Sequence, residues 1–218
     1  MDLHEALYTT RAMRRLKPDP IPRDAQERIL DAAIRAPTIG EEWRFVLVDD
    51  ADVRARLAPL YVQAWEELFA GFGITVEQVM QADGATGRAA RSGDHLARHF
   101  GEAPLILIGF GRNRDGSGVL PALWSAMLAA RAEGIGSTLT GVLQTYRSAE
   151  VFDVLGVPTD EGWYMHGAVP MGYPLGRWGV APRRPVHEVA RRNSWDGDLG
   201  FSVPDPLWGQ SGLTSQGS

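Results

Sequence analysis

No cysteine occurs in the 218 residues, which removes disulfides, iron–sulfur clusters and thiolate catalysis from consideration. Lysine is almost missing too. Lys17 is the only one, so arginine carries nearly all the positive charge. A basic excess is also lacking: 22 Lys and Arg stand against 27 Asp and Glu, for a formal net charge of −5. Nucleic-acid-binding domains usually show the opposite balance. No uncharged stretch reaches the length of a membrane span, and the opening MDLHEALYTTRAMRR lacks the basic start and apolar run of a signal peptide. The expectation is a cytoplasmic protein with no nucleic-acid and no membrane partner. What remains is ordinary for a globular chain, 44% hydrophobic and 22% charged, and long enough for one sizeable core or two small ones.

The stretch that organises the rest is Val119 to Val142. Leu120, Leu123, Trp124, Met127 and Leu128 fall at helical spacing, and Val119 to Ala130 holds no charge. A helix apolar or small all round is expected to be buried on every side, in a core or a subunit interface. Gly134-Ile135-Gly136-Ser137 ends it. The small residues Thr138 to Val142 then read as a short strand whose amides a ligand can approach closely.

Elsewhere, Asp2 caps a first helix that runs into Thr10–Arg15 and ends at Lys17-Pro18-Asp19-Pro20-Ile21-Pro22. A second helix spans Arg23 to Arg35. Arg44–Val48 and Pro104–Phe110 read as buried strands, with a helix from Asp52 to Ala70 between them. Gly71 to Gly93 is weakly patterned and reads as a short helix near Val76–Ala82 followed by a mobile loop, where substrate selection tends to sit. Asp94 to Phe100 gives one or two helical turns, Ser148 to Leu155 a helix, and Trp163 to Tyr173 a last strand in which Pro170 limits pairing. A single-sheet α/β or α+β domain over residues 1–197 is expected, with an extended tail over 198–218.

Several residue groups carry candidate chemistry. Arg11, Arg14 and Arg15 close the first helix, and Arg183-Arg184 lie far away in sequence; arginine forks from separate segments can hold one phosphate, although a solvated helix end is the simpler reading of the first cluster. His95 and His99 share a helix face, but no glutamate follows His95 and no third ligand is evident, so no metal site is expected. Gly109-Phe110-Gly111 follows a strand as a dinucleotide fingerprint does, yet Arg114 occupies its third glycine position.

Taken in order, these residues resemble the FMN-dependent nitroreductase family. Thr10-Arg11-Ala12-Met13-Arg14-Arg15-Leu16 is similar to the opening R-R-S-x-R-x-F of that family. Arg35-Ala36-Pro37-Thr38 with Trp43-Arg44-Phe45 resembles A-P-S … P-W-x-F, Gly134-Ile135-Gly136-Ser137 resembles G-L-G-S, and Val154-Leu155-Gly156-Val157-Pro158 resembles L-G-I-P. Val169 to Pro174 and then Arg183-Arg184-Pro185 match the closing strand and R-x-P. The resemblance implies an α+β nitroreductase-like fold, a central mixed or antiparallel sheet flanked by helices, in an intertwined homodimer with FMN at the interface. It implies phosphate on Arg11 and Arg183 and Arg14 near the flavin pyrimidine, with Ala12, Met13 and Arg15 also binding the cofactor. Leu139, Thr140 and Gly141 would face N5, and Pro37, Thr38, Ile39 and Gly40 would reach in from the partner subunit.

The family loop holding Asn and Gln-Pro is shorter here and reads Ile39-Gly40-Glu41-Glu42, which makes Glu41 and Glu42 candidate substrate contacts. The implied activity is NADH- or NADPH-driven ping-pong hydride transfer through N5 to an electron-poor small molecule, with no catalytic side chain needed. Two alternatives stand beside it: a flavin oxidase or dehydrogenase of a biosynthetic intermediate using O₂, and a non-catalytic flavin-binding or storage protein.

Overall fold

A computed structural model describes residues 1–208; residues 209–218 of the expected tail lie outside the described residues. The described residues form two compact units, Ala12–Arg177 and Met1–Arg11 with Trp178–Trp208.

The larger unit is built on strands β1 (Trp43–Val48), β2 (Leu105–Gly111), β3 (Gly136–Ser137) and β4 (Tyr164–Gly172), in the order β1-β2-β4-β3 with antiparallel pairing. The run Leu105-Ile106-Leu107-Ile108-Gly109-Phe110 is buried on both faces, as a continuous apolar strand must be. Leu105 and Leu107 join one core with Ile29 of α2 (Arg23–Ala33) and Leu123 of α6 (Val119–Ala132). Ile106, Ile108 and Phe110 face the other core, with Leu57, Tyr61 and Trp65 of α3 (Ala51–Ala70) and Phe152 of α8 (Ser148–Leu155). The two-residue period of a strand thus divides one sheet between two helical layers.

Local signals set most boundaries. The Asp50 carboxylate caps α3 by accepting from the amides of Asp52 and Val53, both at 3.0 Å. α6 ends before Gly134, whose φ of 74° is the left-handed geometry expected of a helix stop. β1 was expected to be buried but is a half-buried edge, with Arg44 exposed. Pro170 does not keep β4 at the edge: it lies between β2 and β3, opposite Ile106, and its carbonyl accepts from the Thr138 amide at 3.4 Å.

Three further expectations need correction. Residues 83–93 are not a loop: α4 (Val76–Met80) is followed by the 15-residue helix α5, Gly84–Arg98. Its glycines hid it, because glycine lowers helix propensity while serving close packing. The segment Thr138–Val142 is not a strand throughout. β3 is confined to Gly136–Ser137, Thr140 makes one isolated bridge to Ala168, and Val142 already starts α7 (Val142–Tyr146). Finally, α6 is not buried all round within the chain. Ala122, Leu123 and Ala126 are fully covered, but Leu120 and Trp124, one turn apart, remain 40% and 41% exposed.

In the smaller unit, Asp2 caps α1 (Leu3–Thr9), and Ala6 is buried while Leu3 and Leu7 are exposed. The helix α9 (Val186–Val189) follows, Tyr8 stacks on Trp208 at 6.2 Å, and His187 Nδ1 lies 3.1 Å from Ser202 Oγ. No helix among the described residues is long and apolar enough to cross a membrane.

Candidate active site

The first helix stops at Thr9 rather than running to Arg15, and residues 12–16 are extended. Strand pairing takes over from helix formation here. Ala12 bridges Ser137, the Met13 amide donates to Ser137 O at 2.9 Å, and the Lys17 amide donates to Tyr173 O at 2.8 Å. An extended backbone sends neighbouring side chains to opposite sides. Met13 is buried, and Arg14 lines a cleft of about 560 Å³ with Tyr61, Trp65, Phe69, Gly93 and the strand-like turn Thr138–Val142. That volume lies in the range that holds a cofactor or a drug-sized ligand.

Arg14 is a half-buried cation whose Nη1 donates to Ser92 Oγ at 3.4 Å, and no carboxylate among the described residues pairs with it. Burial pushes its pKa down, and the nearby Tyr61 oxygen partly offsets this; arginine stays charged regardless. A desolvated cation without a counter-ion suits an electron-rich ligand. The Tyr61 ring is fixed by stacking on Phe100 at 4.2 Å, and its hydroxyl lies 2.8 Å from Thr140 Oγ1. Burial raises the Tyr61 pKa above 10, outweighing the hydrogen bond to Thr140 and the charge of Arg14, so the phenol is neutral at pH 7.

Thr140 exchanges both backbone hydrogen bonds with Ala168, each at 2.9 Å, and Thr138 donates to Pro170. The intervening Leu139 and Gly141 amides have no hydrogen-bond partner among the described residues, and both residues line the cleft.

Other candidate residues of the larger unit do not line this cleft. Gly40 and Glu41 both have positive φ, 76° and 49°, which folds the loop so that the Trp43 amide reaches Glu41 O at 2.9 Å. Pro37 and Gly40 are exposed, and Ile39 is 90% exposed. Thr38, Ile39 and Glu42 line a small pocket with Gly111, Asn113, Gly116 and Gly118, not the Arg14 cleft. Arg15 lies on the surface, its Nη1 3.3 Å from His95 Nδ1, and His95 stacks on His99 at 4.1 Å. Arg11 and Arg183 are exposed in the smaller unit, and Arg183 Nη1 donates to Pro182 O at 3.0 Å.

A sequence profile described as "Nitroreductase family" matches residues 7–173. The chain belongs to the nitroreductase family. Solved structures agree on the fold. An oxidised iodotyrosine deiodinase bound to FMN and 3-iodo-L-tyrosine superposes with a TM-score of 0.68 at 20% identity, covering 89% of this chain and 100% of that one. A BluB-like flavoprotein from Clostridium difficile 630 gives 0.67 at 17% identity, over 87% and 98% of the two chains. The FMN-dependent nitroreductase NfnB from Mycobacterium smegmatis, in complex with NADPH, gives 0.65 at 23% identity, over 87% and 99%.

Within this nitroreductase-family chain, sequence reasoning missed Tyr61 and Trp65 as cleft-lining groups and Ser92 as the partner of Arg14. Tyr61 and Trp65 sit on the apolar stripe of α3 and read as core, which they also are, being 2% and 9% exposed. The signal that distinguishes them is polarity: Tyr61 holds Thr140, and Trp65 Nε1 is buried without a hydrogen-bond partner among the described residues. His166 of β4 was missed too. Its Nε2 is buried with no hydrogen-bond partner among the described residues, and its ring packs against Gly116.

Proposed function

We propose that this chain is an FMN-dependent oxidoreductase that carries reducing equivalents from NADH or NADPH to an electron-poor small molecule. The observation that carries this reading is the Arg14 cleft. A half-buried cation without a counter-ion among the described residues stands beside a pinned peptide whose Leu139 and Gly141 amides have no partner among them either. These groups fit a flat, electron-rich ring system with acceptor atoms along its edge. A bound flavin would supply hydride acceptance and donation, chemistry no amino-acid side chain provides.

The residues divide the remaining work. Arg14 places a fixed positive charge where the reduced ring becomes anionic. Leu139 and Gly141 present amide donors, and the Thr140–Ala168 bridge keeps that peptide from rotating away. By the family resemblance Arg11 and Arg183 are assigned to phosphate, and Ala12, Met13 and Arg15 to cofactor binding without a particular part of the flavin. Pro37, Thr38, Ile39 and Gly40, with Glu41 and Glu42 toward substrate, are assigned to the flavin of a second copy, because within one chain the loop lines a different pocket. A homodimer formed across the exposed Leu120–Trp124 face of α6 would bring these groups together and cover that face.

Anaerobic mixing with NADH or NADPH tests the donor, since bleaching near 450 nm reports flavin reduction. Parallel lines in double-reciprocal plots with a quinone or nitroaromatic acceptor support the two-stage cycle. A flavin that neither nucleotide bleaches overturns it.

A further inference from the structure

Two neighbouring arginines end on one face of α5. Arg14 Nη1 donates to Ser92 Oγ at 3.4 Å, and Arg15 Nη1 lies 3.3 Å from His95 Nδ1. Ser92 and His95 are three residues apart and so share a helix face. The same helix supplies Thr86, Ala89, Ala90, Gly93 and Leu96 to the lining of the cleft. Two side-chain bonds therefore tie the cleft wall to residues 12–16, which are themselves anchored through the Met13 and Lys17 amides on Ser137 and Tyr173.

Only one of the two bonds answers to a proton. A guanidinium has donors and no acceptor, so His95 Nδ1 must present a lone pair, and the neutral ring carries its proton on Nε2. His99 takes the opposite tautomer: its Nδ1 donates to the His95 carbonyl oxygen at 2.8 Å. The His99 ring fixed in this way stacks on the His95 ring at 4.1 Å, which resists any turn that would carry Nδ1 away from Arg15. A second proton on His95 would set N–H against N–H and place two cations in contact.

Among the described residues, the charged and titratable groups facing His95 are Arg15 from the extended segment, Asp94 and His99 on α5 itself, and Glu102 of the short 3₁₀ turn Phe100–Glu102. Asp94 is engaged by Arg98 at 3.4 Å, and Arg98 also reaches Glu66 of α3 at 3.6 Å. Burial, then Arg15 and His99, hold the His95 pKa below the usual 6.5, while Glu102 and Asp94 oppose the shift. The neutral, bonded ring is complete above pH 6.5 and is lost as pH falls through the depressed value.

We propose that Arg15 and His95 form a proton-released latch on α5: the neutral ring holds the helix against residues 12–16, and the protonated ring expels Arg15 and loosens the wall of the cleft. Ser92 stays on Arg14, so the release is partial. The latch acts on the helix whatever the cleft holds and does not depend on the flavin reading.

Hydrogen–deuterium exchange of the full-length protein tests it, read by mass spectrometry on peptides of α5 and β2 and corrected for the intrinsic pH dependence of exchange. β2 is the reference because His166, on the adjoining strand β4, acts on the fold as a whole. One hydrogen bond corresponds to roughly 3- to 10-fold in an opening equilibrium. The protection of α5 relative to β2 should fall by about that factor between pH 8 and pH 5 in wild type. His95→Gln keeps an acceptor for Arg15 that does not titrate, so its ratio should stay high at both pH values. Arg15→Met should show the low ratio at both. A wild-type ratio that ignores pH, or one that falls as far in His95→Gln, overturns the latch. So does an Arg15→Met variant that keeps the wild-type profile.

Discussion

A Cβ built on Gly93 would lie 2.3 Å from Cη2 of Trp65. The wall of the cleft is therefore a glycine on α5 laid directly against an indole on α3, with Phe69 edge-on to the same ring at 4.8 Å. No alanine fits at that separation without moving either the ring or the helix.

Gly93→Ala should consequently destabilise the protein, although glycine to alanine inside a helix ordinarily stabilises by about 1 kcal/mol. Overpacking typically costs about 1–3 kcal/mol, and here it should win. Urea unfolding followed by far-UV circular dichroism gives the sign. A midpoint equal to or above wild type would mean that the Trp65 ring moves freely and that the cleft wall is soft.

Arg14→Met removes a half-buried cation that has no carboxylate partner among the described residues. The apoprotein should melt at the same temperature or higher, because the desolvation of an uncompensated charge is relieved. FMN affinity should fall by about tenfold or more, the range of a charge-assisted hydrogen bond. A loss of stability without a loss of flavin binding would place Arg14 in the scaffold rather than in the site.

The pH dependence of stability should carry the mark of His166. Burial pushes its pKa below the usual 6.5, while the Asn113 and Gly111 backbone and the Asp115 carboxylate oppose that shift. The unfolded chain thus binds the proton more readily than the folded one. The stability contributed by neutral His166 is complete above pH 6.5 and is lost as pH falls through that value toward the depressed folded pKa. Surface-lying His95, lowered by burial first and then by Arg15 and His99, adds to the slope in the same direction. Urea midpoints between pH 8 and pH 5 should decline in wild type and decline less in His166→Gln.

How much of this could be read from the sequence follows the physics of each segment. β2 and α3 were plain, because an unbroken apolar run and a capped 3.6-residue stripe each have one solution. The extended course of residues 12–16 was not, because their pairing partners Ser137 and Tyr173 lie more than a hundred residues away. Helix α5 was hidden for a related reason: Gly93 is explained by Trp65, not by its neighbours in the chain. In the site, Arg14 and the Leu139–Gly141 peptide were named from the family resemblance, and they line one cleft. Tyr61 was passed over because a tyrosine on an apolar stripe looks like core until its hydroxyl partner is known.

Trp124→Glu places a charge on the exposed apolar face of α6. If two copies meet there, sedimentation velocity should show a wild-type dimer and a monomeric variant, with flavin affinity lost alongside the dimer. A variant that stays dimeric and binds FMN normally would move the interface elsewhere.

The most direct test of the account is the absorbance spectrum of the purified protein, followed by thermal melts with and without added FMN. The account predicts flavin bands near 450 nm, or a melt raised by FMN, with about 2.7 kcal/mol gained at a hundredfold excess over Kd. A colourless protein whose melting temperature ignores FMN would contradict it, leaving a nitroreductase-family fold without the cofactor its Arg14 cleft is argued to hold.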